Sequence, residues 1–231
     1  MTNTKATRKN DTVLVVAAHP DDEVFGCGGT LARHAEKGDD VHVLILADGE
    51  TSRIQAGDVS ARQICAEHAA RALGISLYKI LGFPDNQLDK VALLEIVRAV
   101  ESAVAQLTPT VVYTHHGGDL NIDHQIACKA VMTACRPLPG SAIDAIYTFE
   151  TVSSTEWFVP QQECIFMPGR IVDISGTIKK KMAALRCYDS EMRSFPHARS
   201  YEAIECLAKL RGAQSGLPAA EAFGVMRQVW R

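Results

Sequence analysis

The run Val13–Gly29, VLVVAAHPDDEVFGCGG, places His19, Asp21 and Asp22 within four positions, directly behind an apolar segment of strand type. Imidazole and carboxylate together are the donor set of a divalent cation such as zinc. Two adjacent carboxylates can also divide the labour, one binding metal and one moving protons. A second cluster of the same chemistry stands about a hundred residues on, behind the apolar segment Thr110–Thr114: His115-His116-Gly117-Gly118-Asp119-Leu120-Asn121-Ile122-Asp123-His124. Each cluster alone has an ordinary explanation. Pro-Asp-Asp before a helix is turn and N-cap chemistry, and a histidine behind a strand is more often structural than a ligand.

The elements that must position these groups follow from hydrophobic patterning. Val13–Ala18 is a buried strand. The residues after it form a loop, and Thr30–Lys37 a helix closed by Gly38. Val41–Ala47 is a second buried strand, ending in the polar run 48–52. Asp58 caps a helix that reaches Leu73 and stops at Gly74. Leu77–Leu81 is a third strand, followed by the turn Phe83-Pro84-Asp85-Asn86. Asp89 caps an amphipathic helix over Lys90–Leu107, with apolar residues at 91, 93, 94, 97, 100, 104 and 107, and Pro109 breaks it. Thr110–Thr114, a helix to about Cys135 and the strand Ala142–Phe149 complete the alternation.

This pattern predicts an α/β, Rossmann-like, mostly parallel sheet with helices on both faces. After residue 150 it changes. A hairpin-like addition over Trp157–Ser175 is expected, then helices at Gly176–Tyr188 and Ser200–Gly212 and a last strand at Phe223–Trp230. Residues 1–231 read as a single domain, with 1–11 a flexible tail and 151–231 a C-terminal β-hairpin and helix elaboration of that domain. In a doubly wound sheet the ligand crevice lies where strand order reverses, between the first strand and the fourth. The two clusters are thereby expected to face each other, joining His19, Asp22 and one imidazole of the second cluster into a metal site with an open position.

Composition narrows the class. The chain has 231 residues, 47% hydrophobic and 22% charged, with a formal charge of −3. That is an ordinary globular composition without the basic footprint of a nucleic-acid or anionic-membrane binder. The apolar run Val13–Ala18 is far too short to span a bilayer, and the polar leader lacks a secretory core. Seven cysteines, an odd number without a C-x-x-C, fit a reducing cytoplasm rather than a disulfide framework.

The residues Ala18-His19-Pro20-Asp21-Asp22-Glu23 followed by Gly28-Gly29-Thr30, with Asp119-x-Asn121-x-Asp123-His124 behind the fourth strand, resemble the LmbE/PIG-L family of metal-dependent de-N-acetylases. Weaker similarity runs through Phe83-Pro84-Asp85-Asn86 and Val172-Asp173-Ile174-Ser175, so the likeness covers most of residues 13–190. The resemblance implies that His19, Asp22 and His124 bind one Zn2+, with Fe2+ or another divalent ion as alternatives. It implies that Asp21 is the general base for the attacking water, and that Asp123 orients a ligand or neighbour by hydrogen bond. The implied reaction is removal of the N-acetyl group from an N-acetylglucosamine-type amino sugar or its conjugate.

One departure stands out. Several members carry a histidine three residues before the last ligand, which stabilises the oxyanion or supplies a proton; here the position is Asn121. An amide can donate a hydrogen bond to an oxyanion but cannot deliver a proton at neutral pH. Either Asp21 acts as both base and acid, the favoured reading, or His115 or His116 substitutes. Asp85 is a candidate for binding sugar hydroxyls, against a plain Pro-Asp turn. Arg62 is a candidate for a substrate phosphate or hydroxyl, against a solvated helix arginine. The segment Arg193–Ser200 carries groups suited to an anion, and Cys27 is a small filler close enough to the site to be a target for thiol reagents. A small amino-sugar substrate is expected, with no nucleic-acid or membrane partner; a homo-oligomer is left open. Two other readings compete: an amidase or deacylase for a non-sugar or antibiotic-type acyl amide, and a non-hydrolytic nucleotide-binding Rossmann module. The latter is disfavoured because G-x-G-x-x-G is absent.

Overall fold

A computed structural model describes residues 10–52, 59–158 and 165–230. Asp58, Cys164 and most of the leader lie outside the described residues. The chain forms β1 (Thr12–Ala17), α1 (Asp22–Glu36), β2 (Asp40–Ala47), α2 (Val59–Leu73), β3 (Ser76–Phe83), α3 (Leu93–Leu107), β4 (Val111–His115), α4 (Ile122–Ala134), β5 (Ala145–Phe149), β6 (Arg170–Asp173), α5 (Ile178–Leu185), α6 (Tyr201–Ala213) and β7 (Ala220–Gln228). Short 3-10 turns lie at Leu88–Lys90, Thr155–Trp157 and Arg186–Glu191.

One seven-stranded sheet has the order β3-β2-β1-β4-β5-β7-β6. Strands β1 to β5 run parallel; β7 is antiparallel to both β5 and β6. The order reverses between β1 and β4, whose ends lie level through the pair Val16↔Thr114. Alternation along the strands builds two cores. Val13, Val15, Val43 and Tyr113 pack on one face under α1, α2 and α5. Leu14, Val16, Leu44 and Val112 pack on the other against α3 and α4.

Several elements differ from expectation. The segment behind β1 is not a loop: α1 begins at Asp22 and contains Gly26, Gly28 and Gly29. Glycine is a poor helix former, but here packing decides. A Cβ on Gly26 would run into the Phe149 ring, and one on Gly29 would stand 2.8 Å from Ile174 Cδ1. The bare helix backbone is also reached by side chains. Lys181 Nζ donates to the Phe25 carbonyl (2.8 Å) and pairs with Glu221 (2.7 Å), whose carboxylate accepts the N–H groups of Gly29 (2.9 Å) and Thr30 (2.7 Å). Thr177 Oγ1 donates to the Gly29 carbonyl (2.7 Å). Secondly, α3 starts at Leu93 with Ala92 as its N-cap, because Leu88–Lys90 forms a separate 3-10 turn. Thirdly, residues 159–164 of the hairpin expected over Trp157–Ser175 lie outside the described residues, and among those described β6 pairs with β7. Asn10 and Asp11, expected in a loose tail, are tied down: Asn10 Nδ2 donates to the Gly38 carbonyl and the Asp11 N–H to Asp39. The six described cysteines are unpaired, and no helix of the described residues is long and apolar enough to cross a membrane.

Candidate metal and active site

The chain leaving β1 and the first turn of α1 deliver His19, Asp21 and Asp22. The end of β4 and the first turn of α4 deliver His115, Asp119, Asn121, Asp123 and His124. The sheet order sets these two groups side by side, and Asp22 is their hub. Its Oδ2 accepts the His19 backbone N–H (2.9 Å) and lies 3.1 Å from His19 Nδ1, 3.3 Å from His124 Nε2 and 3.5 Å from His115 Nε2.

The far nitrogen of each outer imidazole is held from behind. His19 Nε2 faces Asp123 Oδ2 (3.1 Å) and Asp85 Oδ1 (3.2 Å). His124 Nδ1 faces Asp119 Oδ1 (3.1 Å). Carboxylates only accept, so those nitrogens carry a proton, and the opposite nitrogens, which point at Asp22, offer a cation a lone pair once their own proton is displaced. The carboxylates behind are themselves anchored: Asp123 by the Leu88 N–H (3.0 Å), Asp119 by the Asn121 N–H (2.8 Å), Thr155 Oγ1 (2.6 Å) and Ser154 Oγ.

Two buried atoms of this cluster, Asp22 Oδ1 and His124 Nε2, have no hydrogen-bond partner among the described residues. Orphaned buried polar atoms are rare and ask for an occupant. Ligand atoms of His19, Asp22 and His124 lie within 4.8 Å of one another, so the donor set fits a divalent cation. Without one, the site concentrates protons. Burial pulls the His19 imidazole down, but Asp123 and Asp22 outweigh it and raise it to about 10. For His124 burial is likewise overcome, by Asp22 and Asp119, and the group rises to about 9. Burial pushes Asp22 up, yet His124 and His115 hold its carboxyl well below the usual range.

Asp21 goes the other way. It is the N-cap of α1 with φ 129° and ψ −31°, and its side chain makes no capping bond. Its carboxylate lines a cavity of about 290 Å³ together with His19, Asp85, Asn121 and three arginines, Arg62, Arg193 and Arg199. Arg199 NH1 donates to Asp21 Oδ2 (3.1 Å). Burial raises Asp21 to about 8, moderated by Arg199.

The other residues singled out from sequence fall as follows. Asp85 is buried, with its carboxylate shared between His19 and Ser52 Oγ. Arg62 is not the solvated helix arginine expected; it is 6% exposed and ion-paired to Glu50 and Glu191. Asn121 caps α4 through the Asp123 N–H (2.8 Å), and its amide donates to Asn86 Oδ1 (3.1 Å). His115 is fully buried, accepts the Ala18 N–H at Nε2 (2.9 Å) and stacks on His124. Burial beside the His124 imidazole pushes it down to about 3, so it stays neutral and is no proton donor. His116 rests edge-on against Phe166, outside the cavity lining. Cys27 is fully buried with its thiol pushed well up, which removes it as a target for thiol reagents.

Sequence reasoning assigns no role to Asp119, although it stands in the second cluster. It also misses Glu191, which carries no local signal and enters the cavity only through the fold. Arg199 belongs to the segment expected to bind an anion, and here its anion is the protein's own Asp21.

Comparison with known proteins agrees with this geometry. The sequence profile of the PIG-L family, described as GlcNAc-PI de-N-acetylase, matches residues 14–135. YaiS of Escherichia coli, an uncharacterised deacetylase, is 30% identical over 158 residues, spanning 66% of this chain and 80% of YaiS. The 4-oxalmesaconate hydratase of Pseudomonas putida is also 30% identical, over 196 residues, spanning 75% of this chain and 71% of the hydratase. Among solved structures, N,N'-diacetylchitobiose deacetylase of Pyrococcus horikoshii, complexed with an inhibitor, superposes with a TM-score of 0.77 at 20% identity. That superposition covers 95% of this chain and 85% of the other, and establishes a shared fold.

Proposed function

The chain belongs to the PIG-L family of GlcNAc-PI de-N-acetylase-type proteins, and from that premise we propose that it is a metal-dependent hydrolase removing the N-acetyl group from an N-acetylglucosamine-type amino sugar or its conjugate. The observation that carries the reading is the opposite course of two adjacent carboxylates. Asp22 turns into the imidazole pair while Asp21 turns into the cavity. His19, Asp22 and His124 hold the cation, zinc first by donor set, with Asp123 and Asp119 fixing the two imidazoles. A bound divalent cation supplies Lewis acidity for the water and for the acetamide carbonyl.

The remaining steps belong to side chains. Asp21 takes the proton of the attacking water: it lines the cavity one position before Asp22, whereas the other carboxylates there, Asp85 and Glu191, are engaged by His19 with Ser52 and by Arg62. With His115 neutral, its Nε2 taken by the Ala18 N–H and its Nδ1 facing Thr151 Oγ1, Asp21 also returns the proton to the leaving amine. Arg199 holds the Asp21 carboxylate on one side and is itself held by Ser153 Oγ (2.8 Å). Asp85, Arg62 and Asn121 form the polar wall against which the sugar lies, Asn121 at the rim and Arg62 fixed by its two glutamates.

One relative 30% identical to this chain is named a hydratase, so the test spans both reactions. Amine release is followed from N-acetylglucosamine, its 1-phosphate, its UDP-linked form and an N-acetylglucosaminyl glycoside, and water addition from an unsaturated dicarboxylate, each with metal-free and zinc-loaded protein. Zinc-dependent amine release supports the reading. Water addition without amine release replaces it with a hydratase.

A further inference from the structure

Asp21 occupies a backbone conformation that a non-glycine residue avoids, φ 129°. An aspartate at a helix N-cap has an easier alternative. With φ in the extended region its carboxylate accepts the N–H groups two and three positions on. Those are the N–H groups of Glu23 and Val24; here the Val24 N–H goes instead to the Asp21 carbonyl, as does that of Phe25 (both 3.0 Å). That relaxed arrangement would draw the carboxylate out of the cavity and onto the helix.

Two contacts oppose it: Arg199 NH1 on the Asp21 carboxylate (3.1 Å) and, on the backbone, Glu23. Its side chain folds back so that Oε2 accepts the Asp21 backbone N–H (3.1 Å), while Oε1 accepts the hydroxyl of Tyr188 (2.7 Å). Glu23 is 3% exposed and Tyr188 fully buried, so neither bond is shared with solvent. The reach-back of a first-turn glutamate to the N-cap N–H is half of a capping box, but without the reciprocal bond from the cap side chain. We propose that Glu23, braced by Tyr188, is a positioning residue that fixes the Asp21 backbone in its left-handed conformation and so keeps the Asp21 carboxylate in the cavity instead of on the α1 amides.

This inference rests on the reading of Asp21 as the base. Tyr188 lies in the turn Arg186–Glu191, beyond the family-matched segment, so the device joins the site motif to the C-terminal part of the chain.

The test uses Glu23→Met, which removes both acceptor oxygens at similar volume, Glu23→Gln, which keeps one, and Tyr188→Phe, which removes the brace. Each is made alone and with Asp21→Asn. Bound zinc, kcat and KM on the amino sugar turned over fastest, and crystal structures are compared. In Glu23→Met the structure should show Asp21 at negative φ with its carboxylate on the α1 amides. Its kcat should fall about ten- to a hundredfold with KM and zinc content unchanged, as expected for a catalytic group moved by about an ångström. Tyr188→Phe should fall less and Glu23→Gln should recover most of the loss. On Asp21→Asn the Glu23→Met change should cost nothing further.

Asp21 keeping φ near its present value in Glu23→Met overturns the proposal. So does a Glu23→Met penalty that persists in full on Asp21→Asn. If Asp21→Asn itself keeps native turnover, the base assignment fails first and takes this proposal with it. Should Glu23→Met not fold, Tyr188→Phe carries the same comparison.

Discussion

His19 and His124 each present one nitrogen to Asp22 and rest the other on a carboxylate, and that arrangement governs how a cation enters. Both imidazoles are raised, to about 10 and about 9, so near neutral pH the metal-free protein holds them protonated. Zinc must displace those protons. Calorimetry in buffers of different ionisation enthalpy should therefore show proton release on zinc binding, and zinc affinity should rise as pH is raised towards about 9. The stability sign follows from the same shifts. A histidine raised above its unfolded value near 6.5 stabilises the metal-free fold fully below that value and loses the contribution as pH rises through the folded value. The midpoint of the metal-free protein should thus fall between about pH 6.5 and 10, and zinc should abolish the trend. Asp119→Asn, which weakens the support behind His124, should lower zinc affinity about 10- to 100-fold. Asp21→Asn should leave zinc content intact and lower kcat by about a hundredfold or more. That His19 and Asp22 would meet an imidazole of the second cluster was legible because both clusters follow strands that the reversal of strand order makes neighbours; His124 itself was singled out by the family resemblance. The burial of Arg62 was not legible, since its acceptors Glu50 and Glu191 stand 12 and 129 residues away.

Helix α1 is the element on which the site turns. Its glycines suggest a loop because local propensity penalises them, by about 1 kcal/mol each relative to alanine. Contacts from remote elements, Phe149 and Ile174, override that local preference. Gly26→Ala should accordingly destabilise despite the gain in propensity, by about 1–3 kcal/mol from overpacking, visible as a melting midpoint lowered by several degrees. The Lys181–Glu221 pair is a second support. Both side chains are about 5% exposed, and removing one partner of a buried pair costs about 3–5 kcal/mol. Lys181→Met should lower the midpoint by about 10 °C, at about 2–4 °C per kcal/mol for a chain of this size. Neither partner was legible locally: a lysine in a Lys-rich helix and a glutamate in a strand announce nothing until the fold brings them to the same bare stretch of backbone. The start of α3 differs from expectation for another reason, because the 3-10 turn Leu88–Lys90 consumes the capping signal at Asp89.

At the scale of the molecule, the parallel strands were readable from alternation of strand and helix, and the reversal between the first and the fourth from the doubly wound pattern; the full order came with the fold. The antiparallel pair was not readable, since β6 and β7 are separated by two helices and no turn signal joins them. A cation at the reversal point ties together the ends of β1 and β4, so it should stabilise the whole fold. At a free zinc concentration about 100 times the dissociation constant the gain is about 2.7 kcal/mol, or about 5–10 °C in melting midpoint, reversed by a chelator and absent in His124→Ala. The family-matched segment ends at residue 135, yet the helix carrying its signature leans on Thr177, Lys181, Tyr188 and Glu221. Time on the ribosome gives this dependence another face. The amide of Gly29 is synthesised 192 residues before the carboxylate that accepts its proton. A nascent chain that has already displayed its entire signature therefore still carries an unfinished site helix, one that waits for β7 to be made before its backbone is satisfied.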